Sequence, residues 1–225
     1  GTINGTLPYI VNKNKTLGII PSGTANLLAS NLSIPQSVSK SLNIIFKGEI
    51  TSIDSATVND KPFILRLGFG FDADIISESS QTFKNKVGYF AYIWQGFIKT
   101  FSFKNKKYKI KLDDEKIFVK ADTIIIANAG NMFKNIFTIA PDGTLDDGKL
   151  DVFIRRSKNI FDFIEVFLQI LFKSHKATSK VVYKKASKIL IKASNKDFHI
   201  DGEPAKIKND LNIQVVPNSV KVFVP

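Results

Sequence analysis

Apolar positions follow a helical spacing in the first part of this chain and an alternating one in the rest. Leu7, Ile10 and Val11 share a helical face ahead of the polar Asn12–Lys15 run, which predicts a short helix within residues 5–18 entering a strand at Thr16–Pro21. Helical periodicity resumes over Ala25–Leu32 and again over Gln36–Phe46, with Ile34-Pro35 between them. The opening of the chain therefore reads as βα-like.

From Gly48 the pattern changes to short β-branched and aromatic runs bounded by turns. Strands are predicted at Gly48–Ile53, Phe63–Phe71, Tyr108–Leu112, Ile117–Lys120, Thr123–Ala127 and Lys149–Arg155. The alternation continues through Lys180–Tyr183, Lys188–Ala193, Asp197–Ile200, Ile213–Val216 and Val220–Val224. Two helices interrupt it, at Lys86–Thr100 and Asn159–Leu171. The expectation is an α/β plus all-β chain: an α/β unit over 1–47, a β-sandwich with helices over 48–205, and residues from about 206 to 225 packing back on the first unit.

Composition narrows the classes. Absence of cysteine rules out disulfide frameworks, zinc-thiolate sites and cysteine nucleophiles. Thirty-two Lys and Arg against twenty Asp and Glu give a net charge of +12, which suits polyanionic partners: nucleotide phosphates, an anionic membrane surface or nucleic acid. The Lys-rich patches at 84–86, 104–107 and 173–185 read first as solvated faces. Val87–Phe101 and Phe161–Phe172 are too short and too interrupted to span a bilayer, and GTINGTLPYI carries no secretory pattern. With only His175 and His199, a multi-histidine metal site is excluded, and His199 reads as structural.

Four segments carry candidate chemistry. Ile20-Pro-Ser-Gly-Thr-Ala-Asn26 is a strand, a tight glycine turn and a helix start, where free N–H groups favour an anion; it also fits an ordinary loop with Thr24 as helix cap. Ala140–Val152 places Asp142, Asp146, Asp147 and Asp151 within one turn region, suited either to a divalent cation or to a hairpin, with Gly148 at a positive φ. His199-Ile-Asp-Gly-Glu-Pro204 offers Asp201 or Glu203 as a general base, or a plain strand turn. Leu67-Gly-Phe-Gly-Phe-Asp-Ala-Asp74 lacks the dinucleotide-binding glycine spacing, so Gly68 and Gly70 read as close backbone packing.

Taken in order, Gly1-Thr2, Gly18–Asn26, Gly70–Ala73, Pro141–Asp151 and Asp201–Glu203 resemble the motif series of the diacylglycerol kinase catalytic family, with its sphingosine and ceramide kinase relatives. That resemblance implies a nucleotide-binding domain related to NAD kinases and phosphofructokinases, followed by a lipid-binding β-sandwich. It implies an ATP-dependent lipid kinase using Mg²⁺, cytoplasmic and peripherally attached to an anionic membrane surface, with diacylglycerol the first substrate. By the same resemblance Gly1, Thr2, Gly23, Thr24 and Asn26 bind nucleotide; Asp147, with main-chain oxygens near Thr144 and Lys149, holds the metal; Asp146 and Glu203 are catalytic, Glu203 as base. Asp72 supports an acid–water–metal network. Gly1-Thr2 matches the end of the family's Gly-Gly-Asp-Gly-Thr loop, so the strands before it are expected to lie outside this sequence, and Leu27 stands where many members carry an aspartate.

Other readings stay open at this point. They are a non-catalytic lipid-binding or regulatory fragment, and a NAD kinase-like enzyme, against which the Leu145-Asp-Asp-Gly148 and Asp201-Gly-Glu203 segments argue. Nucleic acid is not expected as a partner, since helix-turn-helix, zinc-finger and RNP motifs are missing. A homodimer is compatible with everything above. The aromatic segments Tyr89–Trp94 and Phe97–Phe103, and the Asn159–Leu171 helix, suit either an interfacial helix or packing on the sandwich.

Overall fold

The computed structural model describes residues 1–70, 105–129, 131–132, 137–138, 144–157, 159–171, 179–193, 197–206 and 209–225. Asp72, Asp142 and the predicted Lys86–Thr100 helix lie outside them. Among the described residues no helix is long and apolar enough to cross a membrane.

The chain opens with helix α1 (Thr2–Ile10), the short strand β1 (Thr16–Leu17), and helices α2 (Leu27–Asn31) and α3 (Val38–Lys47). α3 starts where Ser37 accepts the Lys40 N–H and stops at Gly48, whose own N–H returns to the Ile44 carbonyl. Strands follow: β2 (Glu49–Val58), β3 (Lys61–Phe63), β4 (Arg66–Gly70), β5 (Lys106–Leu112), β6 (Glu115–Ala121), β7 (Thr123–Ala127), β8 (Asn131–Met132), β9 (Phe137–Thr138) and β10 (Leu150–Arg155). Helix α4 (Ile160–Leu171) precedes β11 (Val181–Ala186), β12 (Lys188–Ala193), β13 (Asp197–Ile200), β14 (Glu203–Lys206) and β15 (Leu211–Val224).

Two sheets make the sandwich. One runs β3-β2-β15-β12-β5-β6, with β1 added in parallel beside β15; the other runs β11-β10-β7-β4-β13-β14. Strict alternation in β5 turns Tyr108, Ile110 and Leu112 inward and leaves Lys107, Lys109 and Lys111 outside, as a sheet with one solvated face requires. The inward residues meet Leu67, Phe69, Ile124, Ile126, Val152 and Phe198 from the opposite sheet, where Phe69 and Phe198 stack with ring centroids 5.4 Å apart. Gly70 lies at φ +71° with the Asp122 carbonyl 2.1 Å from where a Cβ would stand, so a glycine is required where β4 ends.

A second core gathers Leu7, Ile10, Ile19, Leu28, Ile34 and Ile44 from the helical opening around Ile53, Ile64, Val220 and Val222. β15 serves both cores. Leu211, Ile213 and Val215 belong to the sandwich, and Val220 and Val222 to the helical part. The register slips between Val216 and Val220, so the two runs predicted separately form one bulged strand. Ser219 braces the bulge: its hydroxyl accepts the Ser55 N–H at 3.0 Å and its carbonyl accepts the Asn12 N–H at 2.8 Å. α4 packs on the outer face of the second sheet, where Val166 is buried with Ile125 and Phe153.

Candidate functional site

Strands β13 and β14 are joined by Asp201-Gly202, both at positive φ, and this turn carries the two acids apart. The Asp201 carboxylate turns inward and accepts three backbone N–H groups, from Ile64 at 2.9 Å, Leu65 at 2.9 Å and Arg66 at 2.8 Å. Burial pushes its pKa up, while those N–H groups and His199 pull it down. Its donors are main-chain groups of the β3–β4 connection, so Asp201 is a clamp. His199, fully buried, accepts the Gly202 N–H on Nδ1 at 3.3 Å and steadies the same turn.

Glu203 points the other way. Its side chain is 49% exposed and lies 2.8 Å from the Gly1 backbone nitrogen, with Asn4 Nδ2 donating to it at 3.3 Å. The fold thus brings Gly1, Asn4 and Glu203 together from opposite ends of the chain, at the N-terminus of the nine-residue helix α1. Asn4 was invisible as a partner in the sequence, being 199 positions from Glu203.

At the second nucleotide candidate, Asn26 sits at φ 48° and closes the turn reciprocally. Its Oδ1 accepts the Gly23 N–H at 2.9 Å and its Nδ2 donates to the Gly23 carbonyl at 2.7 Å. Thr24 is exposed on the outside of this turn, and an open cleft beside it is lined by Asn26, Ala29, Ser30, Ile34 and Pro35. Asn26 is therefore a turn-former whose polar groups are used internally, and Thr24 is the group left facing outward.

The 144–149 segment is a turn, with Gly148 at φ +67°. Thr144, Asp146 and Asp147 lie at its surface. Asp147 Oδ1 accepts the Lys149 N–H at 3.0 Å, and its Oδ2 lies 2.5 Å from Lys185 Nζ. Sequence reasoning missed the residue that holds this turn. Asp54, in the middle of β2 and wholly buried, accepts the Gly148 N–H at 2.7 Å and the Asn218 N–H at 2.8 Å, and its own N–H donates to the Leu145 carbonyl at 2.6 Å. Asn128 Nδ2 then donates to both the Asp54 and Ile64 carbonyls, at 2.8 and 3.0 Å. Since Ile64 is bonded to Asp201, a continuous run of hydrogen bonds joins the 145–148 turn to the 201–203 turn.

Residues 1–58 match the diacylglycerol kinase catalytic domain, and residues 66–224 match the YegS C-terminal NAD kinase beta sandwich-like domain. An uncharacterised protein of Synechocystis is 28% identical over 230 residues, covering 100% of this chain and 53% of that protein. A diacylglycerol kinase of Staphylococcus saprophyticus is 28% identical, covering 100% of this chain and 74% of that one; for a diacylglycerol kinase of Bacillus subtilis the values are 29%, 89% and 66%. The chain thus spans between about half and three quarters of the length of these relatives. A crystal structure of a diacylglycerol kinase from Bacillus anthracis superposes with a TM-score of 0.81 at 23% identity, covering 100% of this chain and 75% of that one, a likeness of fold. With one domain signature ending in β2 and the other running from β4 to the last strand, the chain belongs to the family of diacylglycerol kinase catalytic domains joined to an NAD kinase-like β-sandwich.

Proposed function

We propose that this chain is the greater part of an ATP-dependent lipid kinase that phosphorylates a lipid hydroxyl, diacylglycerol being the first candidate. The observation that carries the reading is the meeting of Glu203 with the start of α1: a solvent-accessible carboxylate from the sandwich is held at the N–H end of a helix from the nucleotide-type part. The names of the relatives from Staphylococcus and Bacillus agree with it.

In this reading the phosphates of ATP would lie against the Gly23–Asn26 turn and the α1 start, and an accompanying Mg²⁺ would supply charge neutralisation. The lipid hydroxyl attacks the γ-phosphorus; a new O–P bond forms as the bond to ADP breaks, and Glu203 takes the hydroxyl proton. Phosphoryl transfer asks mainly for positioning and charge neutralisation, so one oriented base and a rigid cradle are the protein's main tasks. Asp201 and His199 fix the turn beneath Glu203, and Asn4 orients its carboxylate. The exposed Phe161, Ile164 and Leu168 of α4 suit insertion at a bilayer surface, and the basic surplus suits anionic headgroups.

The test is transfer of labelled γ-phosphate to lipid alcohols in mixed micelles, using the chain alone and extended to the length of its relatives. Glu203→Gln is expected to lower turnover by about 10²–10⁴-fold with little change in melting temperature, the usual range for losing a general base. Full turnover in that variant would remove Glu203 from the chemistry.

A further inference from the structure

The family resemblance places a divalent cation on the 144–149 turn, yet both oxygens of Asp147, its one candidate side-chain ligand, already face protein donors. The Leu145 carbonyl takes the Asp54 N–H, the Gly148 N–H goes to Asp54 Oδ2, and the Gly148 carbonyl takes the Ser187 hydroxyl at 3.1 Å. The Lys149 N–H fills one oxygen of Asp147, and the Lys185 ammonium lies on the other. Among the described residues no group of three or more His, Asp or Glu side chains is placed to hold a metal ion.

We propose that Lys185 is a built-in cation that takes the place of a divalent metal on Asp147. Strand pairing fixes it there. β11 lies antiparallel to β10 with Lys185 opposite Asp151, so the lysine stem starts beside the acidic turn and its Nζ reaches Asp147 at 2.5 Å and Asp151 at 3.8 Å. The buried Asp151 also takes the Tyr183 hydroxyl, so the two acids are met by one ammonium and one phenol donor, all from β10, β11 and the turn itself. A tethered ammonium is present at high effective concentration, which a free ion at millimolar level must overcome. An incoming metal would have to displace that ammonium from Asp147 Oδ2 and then remain within a few ångström of it, a like-charge contact added to a site where the ammonium already pairs with both Asp147 and Asp151. The turn therefore keeps its shape without an ion, and the Mg²⁺ that accompanies ATP remains a separate matter.

This inference rests on the kinase reading only for the expectation that a metal belongs there, and its test uses neither ATP nor lipid. Thermal melting is measured in EDTA and in saturating Mg²⁺, with Mn²⁺ binding followed by paramagnetic resonance. The chain as it stands is expected to melt at the same temperature in both and to bind no Mn²⁺ at Asp147. Lys185→Met is expected to melt lower in EDTA and to regain about 5–10 °C at a hundredfold excess of metal over its dissociation constant. Lys185→Arg, which keeps the charge, is expected to stay indifferent to metal, and adding Asp147→Asn to Lys185→Met is expected to abolish the metal response. A melting temperature of the unaltered chain that rises with Mg²⁺, or bound Mn²⁺ that disappears in Asp147→Asn, would overturn the proposal. So would a Lys185→Met variant indifferent to metal. If Lys185→Met does not fold in EDTA, recovery in Mg²⁺ supports the proposal, and without recovery the Mn²⁺ measurement on the unaltered chain decides.

Discussion

The 145–148 turn and the 201–203 turn are both rich in acids, and both are anchored by a buried aspartate that accepts backbone N–H groups. They differ in where that anchor comes from. At 201–203 the anchor belongs to the motif: Asp201 is consumed by the β3–β4 connection, and its neighbour Glu203 is left at the surface. At 145–148 the anchor is Asp54, more than ninety positions away, and the motif acids Asp146 and Asp147 stay at the surface, with Asp147 facing a lysine. An acid's role here follows from which N–H groups surround it. Two carboxylates only two residues apart, Asp201 and Glu203, hold different posts because one faces main-chain donors and the other faces solvent.

The sharpest way to break this comparison is to remove the remote anchor. Asp54→Ala takes the acceptor from the Gly148 and Asn218 N–H groups, both part-buried, and leaves a gap where a wholly buried carboxylate stood; it is expected to cost about 2–3 kcal/mol in urea unfolding, since a donor left unpaired away from water costs about 1–3 kcal/mol. A loss within about 0.5 kcal/mol would mean that Asp54 does not anchor the turn. Asp201→Asn should cost less, about 1–2 kcal/mol. The amide keeps one accepting oxygen for Leu65 and Arg66, loses the Ile64 bond, and sheds the cost of burying a charge. Equal losses at the two positions would erase the distinction.

The smallest effect separates Glu203 from both anchors. Its half-exposed carboxylate takes a single side-chain amide, that of Asn4, and clamps no main-chain group. Glu203→Gln is therefore expected to change stability by less than about 0.5 kcal/mol in the same urea unfolding, and a loss equal to that of Asp201→Asn would make Glu203 a third anchor.

Local signals made much of this fold legible. α3 follows from the helical periodicity of Gln36–Phe46, and β5 and β6 from their β-branched and alternating runs. The pattern predicts two strands, Ile213–Val216 and Val220–Val224, where β15 is one, and Pro217-Asn218-Ser219 lies between them. In the sheet it is a bulge, where the proline needs no ladder partner and Asn218 takes φ 49°. Asp54 was missed because a polar residue in an alternating strand reads as solvent-facing, whereas Ile53, Asp54, Ser55 and Ala56 are all buried between two cores. The only signal was an acid in mid-strand. Glu203 stood out through its motif, but its partner Asn4 could be identified only once the chain was folded, and Lys185 reads in sequence as one more surface lysine.

The parallel pairing of Thr16-Leu17 with Lys221-Val222 sets a timetable for the ribosome. Val220 and Val222 complete the core of α1 and α2, yet they are made about two hundred residues later. At about 5–20 residues per second, Leu7, Ile10 and Leu28 wait about 10–40 s for the strand that covers them. During that interval the nascent chain carries an unfinished apolar face, a natural client for a holding chaperone, and ribosome-stalled chains ending before Val220 should be cut by protease within their first fifty residues.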